Sequence, residues 1–351
     1  MSTGKVIFVI TLLLTTIGLC SILVFLKPIV LEKELKRENR QTLKLLEETK
    51  LTDLLPKQES LYEASGVIFL NSSLYIVFDS DTFLAKITNF THKSPDNSYI
   101  FSRESVESEF EGLSYDSVSG NLFLLQEALR HQEANRKPRY KAKIIEISID
   151  SDQKSYTLVE SCRVEYNFKT KNKGLEGIQI FRGEDGVKTA YLICEGNDCE
   201  GGKAGKKGRG MVLTAIYKAA TDQSNCFWEV TKKSELPRYL HFEDYSDLSI
   251  SREFKRAAVI SQQDSGVWIA NIENVKDVDW SQNGAVFDFP RSKKNKIFYC
   301  NVEGVAFLKA NIIAVVSDKA KKKQPNKCTQ KDRMLHIFEI PEHRNIRELR
   351  L

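Results

Sequence analysis

A unit that recurs five times constrains this chain more than any other feature. It reads as an acidic or hydroxyl residue, then Gly or Asp, an aliphatic residue, any residue and a large apolar one. An apolar run ending in a polar group follows a few residues later. The copies begin Ser65-Gly66-Val67-Ile68-Phe69, Glu111-Gly112-Leu113-Ser114-Tyr115, Glu176-Gly177-Ile178-Gln179-Ile180, Ser246-Asp247-Leu248-Ser249-Ile250 and Glu303-Gly304-Val305-Ala306-Phe307. Their lead residues are separated by 46, 65, 70 and 57 positions. Short apolar runs at such a period mark a propeller or a solenoid, because each unit needs its neighbours to bury its faces.

The strand pattern favours the propeller. Each unit supplies a first strand (67–70, 113–115, 178–181, 248–250, 305–308) and a second (74–78, 122–125, 191–194, 257–260, 312–316). A third follows (83–87, 142–147, 211–216, 267–272, 335–340), and then a weaker fourth (99–101, 156–159, 227–230, 285–289). Four-stranded antiparallel sheets repeated about an axis are propeller blades. The fold expected is therefore all-β, a five-bladed β-propeller over residues 57–351; a sixth blade would need a repeat the sequence does not contain. The fifth unit lacks a fourth strand of its own, and residues 57–62 are expected to supply it and close the ring.

Ahead of the repeats, residues 1–5 form a short tail. Residues 6–26 are 21 uncharged residues between Lys5 and Lys27, long enough to span a bilayer as a signal-anchor. Residues 27–56 are rich in Leu, Lys and Glu, with leucines at helical spacing up to Pro56, and are expected to form a helical stalk able to pair with a second copy. Basic residues follow the apolar segment, which by the positive-inside rule places the domain in the cytosol. The sequons Asn71-Ser72-Ser73 and Asn89-Phe90-Thr91, and six cysteines outside the apolar segment, point instead to the lumen or the exterior. The expectation is a single-pass glycoprotein facing outward, with the cytosolic orientation as its alternative. Disulfides and buried thiols are both compatible with the cysteine count, and the spacing gives no pairing.

At 41% apolar and 28% charged residues the chain is ordinary for a globular protein, and a net charge of +5 makes no case for a nucleic-acid polymer. The chemistry lies in the register of the repeat. First strands line a propeller's channel, so Ser65, Glu111, Glu176, Ser246 and Glu303 converge at one mouth. Second strands run back to that mouth and bring Asp79, Glu127, Glu195, Gln262 and Asp318. Three carboxylates in a confined ring do not all stay ionised without a cation or raised pKa values. Carboxylate and hydroxyl oxygens without His or Cys suit Ca²⁺. The alternative is that Glu-Gly only shapes a turn into the strand. Three long loops at the same mouth are basic, offering Arg139, Lys206, Lys207, Arg209, Lys319 and Arg333 to an anionic ligand.

The order Ser, Glu, Glu, Ser, Glu at these intervals resembles the calcium-centred five-bladed propeller of apyrase-type calcium-activated nucleotidases, most clearly at Ser246-Asp247-Leu248-Ser249-Ile250, Ser261-Gln262-Gln263-Asp264-Ser265-Gly266 and Glu303-Gly304-Val305. That resemblance implies hydrolysis of nucleoside di- and triphosphates, with Ser65, Glu111, Glu176, Ser246 and Glu303 as calcium ligands. An Asp-Leu-Asp element that precedes the first blade in those enzymes has no counterpart here; only Asp53 lies nearby. The blades also look like phytase-like esterase and SdiA-regulated propellers. Two functions are therefore expected. One is a calcium-dependent hydrolase of a phosphorylated or other anionic substrate, in which Asp79, Glu127, Glu195 or Asp318 acts as base. The other is a non-catalytic, calcium-stabilised propeller that binds a protein partner or an anionic glycan.

Overall fold

A computed structural model describes residues 40–131, 139–169, 174–183, 185–200, 205, 207–222, 224–322 and 324–342. The expected membrane span lies outside the described residues, and no helix among them is long and apolar enough to cross a membrane. The chain divides into residues 1–41 and residues 42–351, and the fold is that of the second unit.

After β1 (Gln41–Thr42) come twenty strands, which form five antiparallel meanders of four. The first is β3 (Ala64–Leu70), β4 (Ser73–Phe78), β5 (Leu84–Ile87) and β6 (Ser98–Ser102). The second is β7 (Phe110–Tyr115), β8 (Leu122–His131), β9 (Arg139–Ile149) and β10 (Ser155–Val164). The third is β11 (Leu175–Arg182), β12 (Lys188–Cys194), β13 (Met211–Lys218) and β14 (Phe227–Glu235). The fourth is β15 (Asp247–Ser251), β16 (Arg256–Ser261), β17 (Gly266–Asn271) and β18 (Ala285–Asp288). The fifth is β19 (Val302–Lys309), β20 (Ile312–Ser317) and β21 (Met334–Glu339), completed by β2 (Lys44–Lys50) from the other end of the domain.

These meanders are arranged as the blades of a β-propeller. Each innermost strand packs against the next, and β19 packs against β3, so the ring closes on itself. Five hydrophobic clusters fill the five spaces between neighbouring blades. The period-2 alternation of a strand explains how one strand serves two of them. In β4, Ile76 and Phe78 face the fifth blade while Tyr75 and Val77 face the second. Both faces being covered, β4 is buried throughout and reads in sequence as an unbroken apolar run.

Two expectations are corrected here. The helical stalk fails over its described part: residues 44–50 form a strand, and the one helix nearby is the single turn α1 (Leu51–Leu54). Over residues 40–56 there is thus no stalk helix to offer a second copy. The closing strand is β2, not residues 57–62, which carry no strand. The physical reason is the open edge of β21: six ladder pairs, Lys44↔Glu339 through Lys50↔Met334, outweigh the weak helical propensity of Leu, Lys and Glu. Leu43, Leu51, Leu54 and Leu55 are buried beside it, at the seams on either side of the fifth blade.

All six cysteines of the domain are paired, as Cys162–Cys226, Cys194–Cys199 and Cys300–Cys328. The first ties β10 to the start of β14's approach, the second clips the turn after β12, and the third anchors the long loop between β20 and β21. Asn71, in the first sequon, sits exposed in the hairpin turn between β3 and β4.

Candidate metal centre

Backbone geometry singles out the lead residues. The ladder between first and second strands slips by one residue between Ala64 and Gly66, Phe110 and Gly112, Leu175 and Gly177, and Val302 and Gly304. Ser65, Glu111, Glu176 and Glu303 are the extra residues of these β-bulges, a device that re-aims a side chain at the rim of a sheet. In the fourth blade, Ser246 precedes the first ladder residue, Asp247, and its N–H donates to the Ile260 carbonyl at 3.0 Å.

The residue after each lead is held by close packing between blades. A Cβ on Gly66 would lie 2.9 Å from Gly112 Cα, one on Gly112 3.2 Å from Gly177 Cα, one on Gly177 3.0 Å from Asp247 Cα, and one on Gly304 2.9 Å from Val67 N. None of the four glycines has a positive φ. They are required by the approach of the neighbouring backbone, not by a turn. Where Asp247 stands in place of glycine, its carboxylate accepts the N–H of Leu248 at 2.7 Å and that of Val305 at 2.8 Å, linking the fourth blade to the fifth.

The second-strand residues return to the same mouth. Asp79, Glu127, Glu195 and Asp318 donate their N–H groups to the carbonyls of Glu63, Glu109, Gly174 and Asn301, at 2.9, 2.9, 3.0 and 2.8 Å. These acceptors stand two residues before each lead, and with Asp244 at the same place before Ser246, whose carboxylate accepts from the Ser261 hydroxyl and the Gln263 N–H, they form a third tier missed in the sequence: Glu63, Glu109, Asp244 and Asn301, with Gly174 the exception. The signal was present as acid-x-lead in three copies and Asn-x-Glu in the fifth.

The acids of the mouth lie close enough to act on one another's ionisation. Burial, with the charges of Glu127, Asp79, Glu303 and Glu195, pushes the Glu111 carboxyl well above its ordinary range. Glu176 is raised by burial and by Glu111, Glu195, Glu127 and Glu303; Glu303 is raised by burial, then by Asp318, against the opposing charge of Lys321. Burial pushes Asp318 up to about 7, Asp79 to about 6 and Asp244 to about 6. The structure therefore brings Asp79, Glu127, Glu195 and Asp318 together with the three ring glutamates. Ser65 and Ser246 are buried, but each hydroxyl is engaged: Ser65 donates to the Phe110 carbonyl, and Ser246 accepts the Gln262 N–H at 3.2 Å.

The donor set suits calcium by chemistry: the buried carboxylates of Glu176 and Glu303, the half-buried one of Glu111, two hydroxyl oxygens and no imidazole or thiol. A hard divalent cation would relieve the repulsion that raises these groups. The carboxylates are not drawn into a tight trio. Among the described residues, the one set of three whose ligand atoms lie within 4.8 Å is Glu160, Cys162 and Cys226, whose two cysteines form a disulfide.

The basic residues expected at the rim are committed to acids. Lys207 pairs with Glu243, Arg209 with Asp198 at 2.9 Å and Glu235 at 3.7 Å, Lys319 with Glu63 at 3.5 Å, and Arg333 with Asp332 at 3.7 Å. Lys206 and the side chain of Arg139 lie outside the described residues. The blade-three loop that carries Lys207 and Arg209 is pinned by Asn197, whose Oδ1 accepts the Arg209 N–H at 3.0 Å and the Tyr245 hydroxyl at 3.1 Å.

The fold and the site together define a β-propeller with an acid-lined axial mouth. No family model matches this chain, and no curated protein does. Among solved structures it is similar to the PQQ-bound aldose sugar dehydrogenase of Streptomyces coelicolor (9% identity, TM-score 0.39, covering 83% of this chain and 98% of that one). It is also similar to Myxococcus xanthus glutaminyl cyclase (8%, 0.42, 86% and 99%) and to a luciferin-regenerating enzyme (13%, 0.41, 84% and 95%). At these scores the strand pairings, and not the neighbours, carry the fold.

Proposed function

We propose that this protein is a calcium-binding, five-bladed propeller of the secretory pathway that hydrolyses a phosphorylated or other anionic substrate at its acidic mouth. The observation that carries the reading is the placement of Glu111, Glu176 and Glu303 as the bulged lead residues of three inner strands at one mouth, where burial and neighbouring carboxylates raise each of them. A fold that places like charges on its own axis stores a penalty unless something cationic belongs there. Calcium, when bound, supplies charge to hold an anionic oxygen and to acidify a water molecule.

The chain's own residues do the rest. Ser65, Glu111, Glu176, Ser246 and Glu303 would hold the ion. Asp318 and Asp79, raised to about 7 and about 6, are poised to take a proton from an attacking water near neutral pH; Glu127 and Glu195 complete the wall. Lys207, Arg209, Lys319 and Arg333 can reach an incoming anion by exchanging one acidic partner for another, since exposed ion pairs are weak. Three disulfides and an exposed sequon support an oxidising, lumenal or extracellular setting, with residues 6–26 as the anchor.

A second reading is favoured by the pairing of those same cations: a non-catalytic propeller whose calcium is structural and whose rim binds a protein or glycan. A panel of nucleoside di- and triphosphates and phosphoesters, assayed with calcium and with chelator, separates the two. Turnover that chelator abolishes supports the hydrolase. No turnover of any member, with calcium still raising the melting temperature, supports the second reading.

A further inference from the structure

The fold brings the two sequons of the chain to one end of one blade. β3 leaves the acidic mouth at Ser65 and ends at Leu70, so the Asn71–Ser72 turn into β4 lies at the far end of the ring. β5 pairs Ile87 with Leu74, and β6 pairs Ser98 with Lys86, which puts residues 88–97 at that same end. Ser73 Oγ and Thr88 Oγ1, 2.9 Å apart, join the two turns. At a strand's rise per residue, the run from Ser73 to Asp79 separates this end from the mouth by about 20 Å.

Both amides can take a substituent without losing a bond the fold uses. Asn71 is exposed at the tip of its turn, where its φ of +50° is one that asparagine tolerates. Asn89 carries its local bonds on oxygen: Oδ1 accepts the Thr91 N–H at 3.0 Å, the Thr91 hydroxyl at 3.1 Å and the His92 N–H at 3.2 Å. One of its two amide hydrogens is directed to His92 Nε2 at 3.2 Å, which leaves the other for substitution. Asn97 is the contrast. Its Nδ2 donates to the carbonyls of Leu54 and Asn89 at 3.0 and 2.9 Å, and its Oδ1 accepts the N–H groups of Thr88 and Asn89 at 2.9 Å each. Buried Asn97 thus spends its whole amide on fixing the loop that presents Asn89. The rings of Phe69 and Phe90, one near each sequon, lie 6.5 Å apart, and Phe69 is 36% exposed. The C–H face of a sugar can cover that apolar surface.

We propose that Asn71 and Asn89 are both N-glycosylated, and that their glycans cover the far end of the first blade and leave the acidic mouth as the open end. The inference rests on the lumenal or extracellular setting read above. In the reaction, the Nδ2 lone pair bonds C1 of a sugar while the C1–O bond to its diphosphate carrier breaks. The amide proton passes to a base of the transferring enzyme, and the diphosphate leaves. Asn89 then keeps its three Oδ1 bonds and the contact with His92. At Asn71 transfer precedes closure of the hairpin, because the closed form buries the Ser73 hydroxyl against Thr88.

The test is expression of the full chain in secretory animal cells, with release of glycans by an amidase in H₂¹⁸O and peptide mass mapping of both sequons. Both asparagines should carry the ¹⁸O label, and the released chain should gain mobility in two steps during partial digestion. Asn71→Gln and Asn89→Asp should each remove one step, the latter keeping the Oδ1 acceptor. Thr91→Ala should remove the same step as Asn89→Asp, and Thr91→Ser should retain it. Label at one asparagine with the other bare overturns the two-site assignment. Two bare asparagines in a domain that resists protease in sealed microsomes overturn the proposal and leave the lumenal setting standing. Two bare asparagines in a domain that protease digests from outside those microsomes overturn the lumenal setting, and the proposal with it.

Discussion

Substituting Gly304 with Ala tests the packing that builds the axis. The new Cβ would stand 2.8 Å from Val316 Cγ2, 2.9 Å from Val67 N and 3.0 Å from Gly66 C. Two of those three atoms are backbone of the first blade, which no rotamer change can move aside. Relief requires the inner strands to part by roughly half an ångström, and overpacking of this kind costs about 1–3 kcal/mol; the backbone contacts place it near 3. Ala also restricts the unfolded chain relative to Gly, which returns about 0.4–1 kcal/mol. The net expectation is a loss of about 2 kcal/mol, or about 3 °C in Tm for a domain of this size. Thermal and urea unfolding, followed by near-ultraviolet circular dichroism, would measure it. Gly120→Ala is the reference: nothing lies within 4 Å of its Cβ, and its φ of +77° alone costs about 1–2 kcal/mol. A Gly304→Ala protein as stable as wild type would refute the stacking of the fifth blade's inner strand on the first.

Further outcomes follow from other parts of the molecule. Asp247→Ala leaves the buried Val305 N–H without its acceptor and should cost about 1–3 kcal/mol, most of it recovered by Asp247→Asn. Deleting residues 42–50 removes the strand that closes the ring, and the remaining chain should show no cooperative unfolding transition. In chelator, stability should be highest near pH 4 and fall as the pH rises toward 8. Asp79, Asp244 and Asp318 have folded pKa values raised to about 6, about 6 and about 7, so the unfolded chain ionises first and gains with each step; calcium should flatten that slope. Replacing Cys162 and Cys226 with Ala opens a loop of 64 residues and should cost about 4 kcal/mol in the chain-entropy account. Peptide mapping without reductant would first confirm the three pairs.

The skeleton of the fold was legible because both faces of each second strand are buried. Runs such as Leu74–Phe78 and Ile312–Val316 have no polar face to disguise them, and the observed strands contain or overlap the expected ones everywhere except the strand that closes the fifth blade. The ends of the ring were harder to read. Thr42–Lys50 carries Leu, Lys and Glu because one edge of β2 faces solvent, and that composition looks helical until the open edge of β21 is known to need a partner. At the mouth, the lead and second-strand residues announced themselves by register. The third tier showed only as an acid two residues before three of the leads, since four of its members contribute a carbonyl that any residue supplies, as Gly174 shows; Asp244 alone uses its carboxylate. Loop charge was legible only as composition: nothing in the sequence pairs Lys319 with Glu63 or Lys331 with Glu48, partners more than 250 residues away.

Buried charge near the ring's closure has a different character. His336 is fully enclosed, its Nε2 2.9 Å from Ser317 Oγ and its Nδ1 3.6 Å from Glu48, which also meets Lys331 and the Tyr299 hydroxyl. The His336 imidazole 3.6 Å away, joined by Lys331, holds Glu48 down to about 2 against the opposing effect of burial. The closing strand is thereby tied to the blade by charge as well as by its ladder. Its contribution is present at neutral pH and is lost as Glu48 protonates, between about pH 4.5 and 2.

The central claim is that a divalent cation belongs on the axis, and thermal unfolding of chelator-stripped protein against CaCl₂ at pH 7.5 tests it most directly. Calcium should raise Tm in a saturable way, by about 4 °C once it exceeds its dissociation constant a hundredfold, which corresponds to about 2.7 kcal/mol. Glu111→Gln combined with Glu303→Gln should already be more stable than wild type in chelator and gain nothing from the ion. A wild-type Tm that calcium leaves unchanged, or a double variant that responds as the wild type does, would contradict the metal centre.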